Sequence, residues 1–376
     1  MNSPGELAVS HVRALSPYQP GKPMRELERE LGVHDVLKLA SNENPLGPSP
    51  LALAAMRRAL DETWLYPDGA GHDLKQGLAR HLGVGAAQLT LGNGSNDLLV
   101  LLAAAFLTPA NNAVFSQFGF AIYALVTQAA GAQGRTVTAH PATVVPQADR
   151  QWLGHDLDAM AAAVDANTRL VFLANPNNPT GTWLGARAIQ RFIESIPATT
   201  LVVLDEAYFE FGLPLGCQDG LRWLQRYPNL IVLRTFSKAY GLAGMRIGYG
   251  VSHPEVADIL NRVRQPFNVG NVAMDGALAA LGDPAHVAAG VALAASGREY
   301  FVREFQQLGL QVIPSAANFV TVSVGDGQRV YELLLQAGVI VRPLAGYGLP
   351  QFLRVSTGTQ AQNERFVRSL RQCLAK

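Results

Sequence analysis

The sequence predicts an α/β protein, and three observations carry that prediction. Leu170-Val171-Phe172-Leu173-Ala174, Leu201-Val202-Val203-Leu204 and Leu230-Ile231-Val232-Leu233 are continuous apolar runs separated by helical or loop segments. That is the pattern of parallel strands buried on both faces. Each run ends in chemistry-bearing residues: Asn175-Pro176-Asn177-Asn178, Asp205-Glu206-Ala207-Tyr208, and Ser237-Lys238. Beyond about residue 280 the texture changes to alternating strands and amphipathic helices, which predicts a second, smaller α+β domain covering one face of a cleft.

Composition limits the function classes. A chain of 376 residues is long enough for two domains, and 48% apolar against 16% charged residues supplies a large core with little disorder. The net charge of +1 gives no field for nucleic acid or an anionic membrane. Two cysteines, Cys217 and Cys373, cannot make a disulfide framework or a cysteine-rich metal site. The eight histidines are scattered without ligand spacing, so no metal is expected. The N-terminus lacks a basic stretch followed by an apolar one, and the longest apolar run, residues 98–107, is half of what a spanning helix needs. A soluble cytoplasmic protein is expected.

Residues 1–40 are Pro/Gly-punctuated around Leu15-Ser16-Pro17-Tyr18-Gln19-Pro20-Gly21, then briefly helical at 24–31, and read as an arm packing with the small domain. A large domain is expected over 41–280, holding the apolar strands and the residues at their ends, and the small domain over 281–376. Ser41-Asn42-Glu43-Asn44-Pro45-Leu46-Gly47-Pro48 must be irregular, since its prolines and glycine forbid regular structure. A helix follows over 50–62, then a Pro-Asp-Gly turn after Tyr66. The short strand Gln88-Leu89-Thr90-Leu91 runs into Gly92-Asn93-Gly94-Ser95-Asn96-Asp97 and an apolar helix from Leu98. A Gly-rich turn at a helix N-terminus suits a phosphate, and equally an ordinary helix cap. It is neither a Walker loop nor a dinucleotide fingerprint, because Asp97 stands where the third glycine would be. Further on, a helix is expected over 285–308, a half-exposed strand over 318–324, a helix over 329–337, strands over 338–342 and 352–356, and a final helix over 360–374.

In a parallel sheet, ligands bind outside the carboxyl ends of the strands. An amide, a carboxylate and a lysine therefore converge on one edge. Lys238 alone could be a surface lysine at a strand end; beside Asn178 and Asp205 it suits a Schiff base with a carbonyl cofactor. The constellation asks for a carbonyl at Lys238, a phosphate at Gly94-Ser95, Ser237 and Arg246, and a basic ring nitrogen at Asp205. Pyridoxal 5'-phosphate has all three, and an acid near its ring nitrogen makes the ring an electron sink.

With those residues in view, the chain resembles the fold-type I pyridoxal-phosphate aminotransferases, and within them the histidinol-phosphate aminotransferase family. The likeness rests on Asn175-Pro176-Asn177-Asn178-Pro179-Thr180-Gly181, Asp205-Glu206-Ala207-Tyr208, and Thr235-Phe236-Ser237-Lys238-Ala239-Tyr240-Gly241-Leu242-Ala243-Gly244-Met245-Arg246. Segments 41–47, 66–69, 15–18 and 353–359 extend it over essentially the whole chain. The resemblance implies a mostly parallel seven-stranded-type sheet covered by helices on both faces, plus the smaller α+β domain. It implies that Lys238 binds the cofactor covalently and later acts as general base, with Asp205 on the ring nitrogen and Asn178 and Tyr208 on the phenolic oxygen. Ser237, Arg246 and Gly94-Ser95-Asn96 would hold the phosphate. Tyr66 would reach that phosphate from a second subunit, which makes a homodimer functional. Phe120 stands where the family stacks an aromatic on the ring, although Ser116-Gln117-Phe118-Gly119-Phe120 departs from the usual form and Phe118 competes.

Arg354 interrupts an apolar strand and Arg342 ends another, and guanidinium forks suit phosphate and carboxylate. By resemblance Arg354 takes the carboxylate of glutamate, while Arg342, Tyr18 and Asn44 serve the substrate. The implied reaction is amino transfer between L-histidinol phosphate and 2-oxoglutarate, with imidazole-acetol phosphate and glutamate as the other pair. An aromatic aminotransferase is the alternative on the same fold, and a phosphothreonine-type decarboxylase a further one. A cofactor-sensing regulator would need a DNA-binding domain, which the 40-residue arm without a basic cluster is not expected to supply, and a nicotinamide dehydrogenase would leave Lys238 unexplained.

Overall fold

The computed structural model describes residues 3–141 and 151–375. Its main sheet has seven strands: β2 (Leu89–Gly92), β3 (Asn112–Ser116), β4 (Gln133–Val137), β5 (Thr168–Ala174), β6 (Leu201–Asp205), β7 (Leu230–Thr235) and β8 (Gly248–Val251). They follow the short β1 (Leu37–Lys38) in the chain and lie in the order β2-β8-β7-β6-β5-β3-β4. The pairs from β7 through to β4 are parallel, and only β8 runs against its neighbours.

The continuous apolar runs exist because this sheet has a core on each face. Along β5, Val171 and Leu173 enter one cluster while Leu170, Phe172 and Ala174 enter the other. Along β7, Leu230 and Val232 face one way and Ile231 and Leu233 the other. Every one of these side chains is under 5% exposed, so each except the smaller Ala174 contributes about 1.5–3 kcal/mol of burial.

A second sheet is formed by β9 (Val312–Ile313), β10 (Phe319–Ser323), β12 (Arg342–Pro343) and β13 (Phe352–Ser356), all antiparallel, in the order β12-β13-β10-β9. Between β10 and β12 in the chain, β11 (Val339–Ile340) instead pairs in parallel with β1. The stretch 338–342, expected as one strand, is thus split between two sheets at Val341. Leu27 and Ala40 of the N-terminal arm cluster with Ile340.

The expectation of a half-exposed strand over 318–324 is corrected: of β10 only Ser323 is not buried. Val320 and Val322 face the small sheet's own core, while Phe319 belongs to the main core and the Thr321 hydroxyl donates to the Pro179 carbonyl at 2.6 Å. The alternation is real, but its second face is covered by the main core and the Pro179 loop rather than by water. The 24-residue helix Pro284–Gln307 spans the two bodies, with Ala294 in the main core and Phe301 and Phe305 in the small one. Among the described residues no single helix is long and apolar enough to cross a membrane; the helix pair Asn271–Leu281 and Pro284–Gln307 reaches that length only across an 84° bend.

On the face of β6 and β7 away from Asp205 and Thr235, Arg234 is tied to Glu206. Its Nε and Nη2 donate to Glu206 Oε2 at 2.9 and 2.7 Å, and Nη2 also donates to Asp219 at 2.7 Å. Both partners of the first pair are over 95% buried, so a lone survivor would be an unpaired buried charge. We expect Arg234→Met to lower unfolding stability by about 3–5 kcal/mol, and the Arg234→Met/Glu206→Gln double variant to regain most of it. Urea melts of the three proteins check this; additive losses would refute it.

Candidate functional site

The carboxyl ends of β5, β6 and β7 deliver Asn178, Asp205 and Ser237-Lys238 to one cavity, because parallel pairing puts those ends side by side. The phosphate turn reaches it by a route that the sequence reading did not contain. β8 returns antiparallel between β2 and β7, pairing Gly248 with both Gly92 and Thr235. The end of β2 is thereby brought beside the end of β7, and the Gly94-Ser95 turn beside Ser237. The fit is close: a Cβ on Gly248 would lie 2.4 Å from the Ser95 nitrogen.

Helix Ser95–Phe106 begins at Gly94, at φ 79°, with no side-chain cap on its first N–H groups. Ser95 and Asn96 line the cavity there. Opposite them Arg246 Nη1 donates to Ser237 Oγ at 3.3 Å. A Cβ at Gly94 would strike the Arg246 guanidinium at 2.4 Å, so glycine is needed both for its φ and for this approach. Uncapped N–H groups, a hydroxyl and a guanidinium make an anion site.

At the other end of the cavity, Asp205 is 6% exposed. Its Oδ2 accepts the Tyr123 hydroxyl at 2.8 Å and its Oδ1 the Ala207 N–H at 3.1 Å. Burial raises its pKa, and the Tyr123 bond pulls it back. Tyr208 accepts from Asn42 Nδ2 at 2.8 Å, so its own hydroxyl proton is available to a ligand. Burial raises the Tyr208 hydroxyl to about 12, which keeps it a donor. Asn178 gives its Oδ1 to Arg354 Nη1 and so offers its amide N–H to the cavity.

Lys238 stands between these groups, with Nζ donating to the Ser41 carbonyl at 2.9 Å. Burial, and next the nearby Arg354 cation, bring its pKa down to about 7. Its amine is therefore available as a nucleophile and base near neutrality.

Arg354 enters from β13 and is 7% exposed, with Nη2 on the Ala40 carbonyl at 2.7 Å and Nε buried without a partner. Arg342 faces it directly across the β12–β13 pair. Like charges directly opposite cost stability, and a bound anion offsets that cost. Arg342 Nη2 donates to the Gln19 carbonyl of the arm at 2.6 Å and its guanidinium lies 5.6 Å from the Tyr18 ring centroid. Tyr18 and Phe120 line the same cavity, their rings edge-to-face at 6.4 Å.

Phe118, Asn44 and Tyr66 do not line this cavity, the last in keeping with its expected action from a second subunit. Phe118 is packed with Ala139, Ile313 and Phe352, leaving Phe120 as the phenylalanine that lines the cavity. Asn44 is turned away, donating to the Ala239 carbonyl at 2.9 Å and capping Leu46 N–H. It braces the loop that carries Ser41 and Asn42. Tyr66 is 83% exposed and stacks on Phe267 at 4.8 Å, outside its own chain's cavity. Sequence reasoning missed Tyr123 and Asn42. Tyr123 sits in an apolar helix with no signal of its own, and Asn42 in a loop whose polarity looked generic; its φ of 56° has no sequence mark.

The set fits pyridoxal phosphate: an anion site at one end, a buried carboxylate at the other, a neutral-leaning amine and two hydrogen-bond donors between. Comparison with known proteins agrees. The family Aminotransferase class I and II matches residues 34–370. Histidinol-phosphate aminotransferase 2 of Pseudomonas aeruginosa is 55% identical over 98% of both chains. Histidinol-phosphate aminotransferase 1 of Thiobacillus denitrificans is 52% identical over 98% of this chain and 94% of its own. The crystal structure of histidinol-phosphate aminotransferase from Sinorhizobium meliloti in complex with pyridoxal-5'-phosphate superposes with a TM-score of 0.88 at 32% identity, covering 98% of each chain. The chain therefore belongs to the class I and II aminotransferases.

Proposed function

We propose that this chain is a pyridoxal-phosphate-dependent transaminase that moves an amino group between L-histidinol phosphate and 2-oxoglutarate in histidine biosynthesis, working as a cytoplasmic homodimer. The observation that carries the substrate is the opposed pair Arg342 and Arg354, two cations on one cavity wall that call for an anionic substrate group. Their relatives' names point the same way.

Bound in this cavity, pyridoxal phosphate supplies an electron sink for the charge left when a substrate α-carbon loses its proton. The chain's residues do the rest. Ser95, Asn96, Ser237 and Arg246 would hold the phosphate end. Asp205 would pair with the ring nitrogen, and Asn178 and Tyr208 would donate to the phenolic oxygen. Lys238 would anchor the cofactor, take the α-proton as a neutral amine and return it as an ammonium. Arg354 clamps the carboxylate of glutamate or 2-oxoglutarate, and Arg342 with Tyr18 the phosphate of histidinol phosphate. Phe120 lines the cavity where an aromatic wall would meet the cofactor ring. Tyr66 at 83% exposure, stacked on Phe267 at 44%, and the nearby-in-sequence Trp64 at 81% are exposed aromatics that suit a second copy, from which Tyr66 would reach the neighbouring phosphate.

Three measurements test this reading. Lys238→Ala should abolish turnover and the visible absorbance of the bound cofactor; normal activity would sink the proposal. Arg342→Gln should lower kcat/KM for histidinol phosphate about 10- to 100-fold, the worth of a hydrogen bond between charged groups, with little change for phenylalanine. Equal losses for both would favour an aromatic aminotransferase. Finally, only the neutral Lys238 amine attacks a carbonyl, so pyridoxal phosphate uptake by cofactor-free protein should rise with pH through about 7 and then level off. A rate that climbs on toward 10.5, the ordinary lysine value, would refute the depressed amine. In Arg354→Gln the inflection should move upward.

A further inference from the structure

We propose that Tyr123 is a positioning residue of the reaction: its hydroxyl holds Asp205 in the ionised form and so keeps the proton on the cofactor's ring nitrogen. The inference rests on the reading of Asp205 as the partner of that nitrogen. The geometry begins with the 2.8 Å bond from the Tyr123 hydroxyl to Asp205 Oδ2. With Oδ1 taken by the Ala207 N–H, each carboxylate oxygen has one protein donor. Both donors stabilise the anion against a burial that favours the neutral acid.

Tyr123 is held as a fixed donor rather than as a second titrating group. It is 1% exposed, and its ring stacks on Phe172 with centroids 4.8 Å apart and planes 3° from parallel. Phe120 meets it edge-on at 6.0 Å. Burial and the adjacent carboxylate both push its own ionisation well above the ordinary tyrosine value, so it keeps its proton throughout the working range. The ring is locked by packing and the hydroxyl has one function.

Removing that hydroxyl takes from Asp205 Oδ2 the donor it accepts from and leaves a carboxylate of higher proton affinity. A proton shared with the ring nitrogen then shifts toward the carboxylate, and the ring loses its positive charge. A hydrogen bond to a charged group is worth a factor of about 10 to 100 in that partition.

The experiment uses the holoenzyme loaded with pyridoxal phosphate labelled with nitrogen-15 in the ring, read by its nitrogen chemical shift. Tyr123→Phe keeps the stacked ring and removes one oxygen. We expect the wild type to show a pyridinium signal and Tyr123→Phe to move toward neutral pyridine, with kcat down about 10- to 100-fold and substrate KM little changed. Site-specific 3-fluorotyrosine at position 123, which keeps the donor, should retain the pyridinium signal. Asp205→Asn is the control on the underlying reading. If Asp205→Asn shifts the signal and Tyr123→Phe does not, the role of Tyr123 is overturned alone. If Asp205→Asn leaves it unchanged, the assignment of Asp205 fails and this inference with it.

Discussion

Parallel pairing of β5, β6 and β7 is the constraint on which the site depends. Neighbouring strands lie about 4.8 Å apart, so residues just beyond their carboxyl ends are held at separations set by the sheet rather than by the loops. Asn178, Asp205 and Lys238 come from three separate stretches of sequence and need no contact with one another to share a cavity. The antiparallel insertion of β8 extends the same logic to the phosphate turn, because it makes β2 parallel to β7 and aligns their ends. The two cores pack on either face of the sheet behind this edge.

Burial then does chemical work in opposite directions on two groups. It lowers the proton affinity of Lys238 and raises that of Asp205, since in each case the neutral form is favoured. For Lys238 that outcome is useful, and the Arg354 cation reinforces it. For Asp205 it is a hazard, and Tyr123 and the Ala207 N–H oppose it. One desolvated pocket thus holds a lysine inclined to lose its proton beside a carboxylate restrained from gaining one. On the other face of the sheet the charges of Arg234 and Glu206 satisfy each other and stay out of the chemistry.

Much of this was legible in the sequence, because the strongest signals are physical ones. Long apolar runs report strands buried on both faces, and their ends report the ligand edge; hence the α/β class and the placement of Asn178, Asp205, Tyr208, Ser237 and Lys238. What stayed hidden lacks such a signature. β8 is four residues long with two glycines, and β4 is largely exposed at the sheet's margin, so neither shows a core pattern. Tyr123 and Asn42 act through hydrogen bonds between distant segments, which no local period encodes. Asn44 was expected at the substrate by resemblance, yet its amide is consumed in holding its own loop. The face of β10 was misjudged because alternation reports two different environments without saying that one of them is water.

The helix Pro284–Gln307 carries a consequence for how the chain can be divided. Its early turns complete the main core and its late turns the small one, and Phe319 of the small sheet belongs to the main core as well. A cut near residue 280 would therefore strip apolar cover from both products at once. The two sheets are distinct in hydrogen bonding but share their interior, so neither half is a transplantable module, and a graft of new specificity onto this scaffold would have to exchange side chains rather than segments.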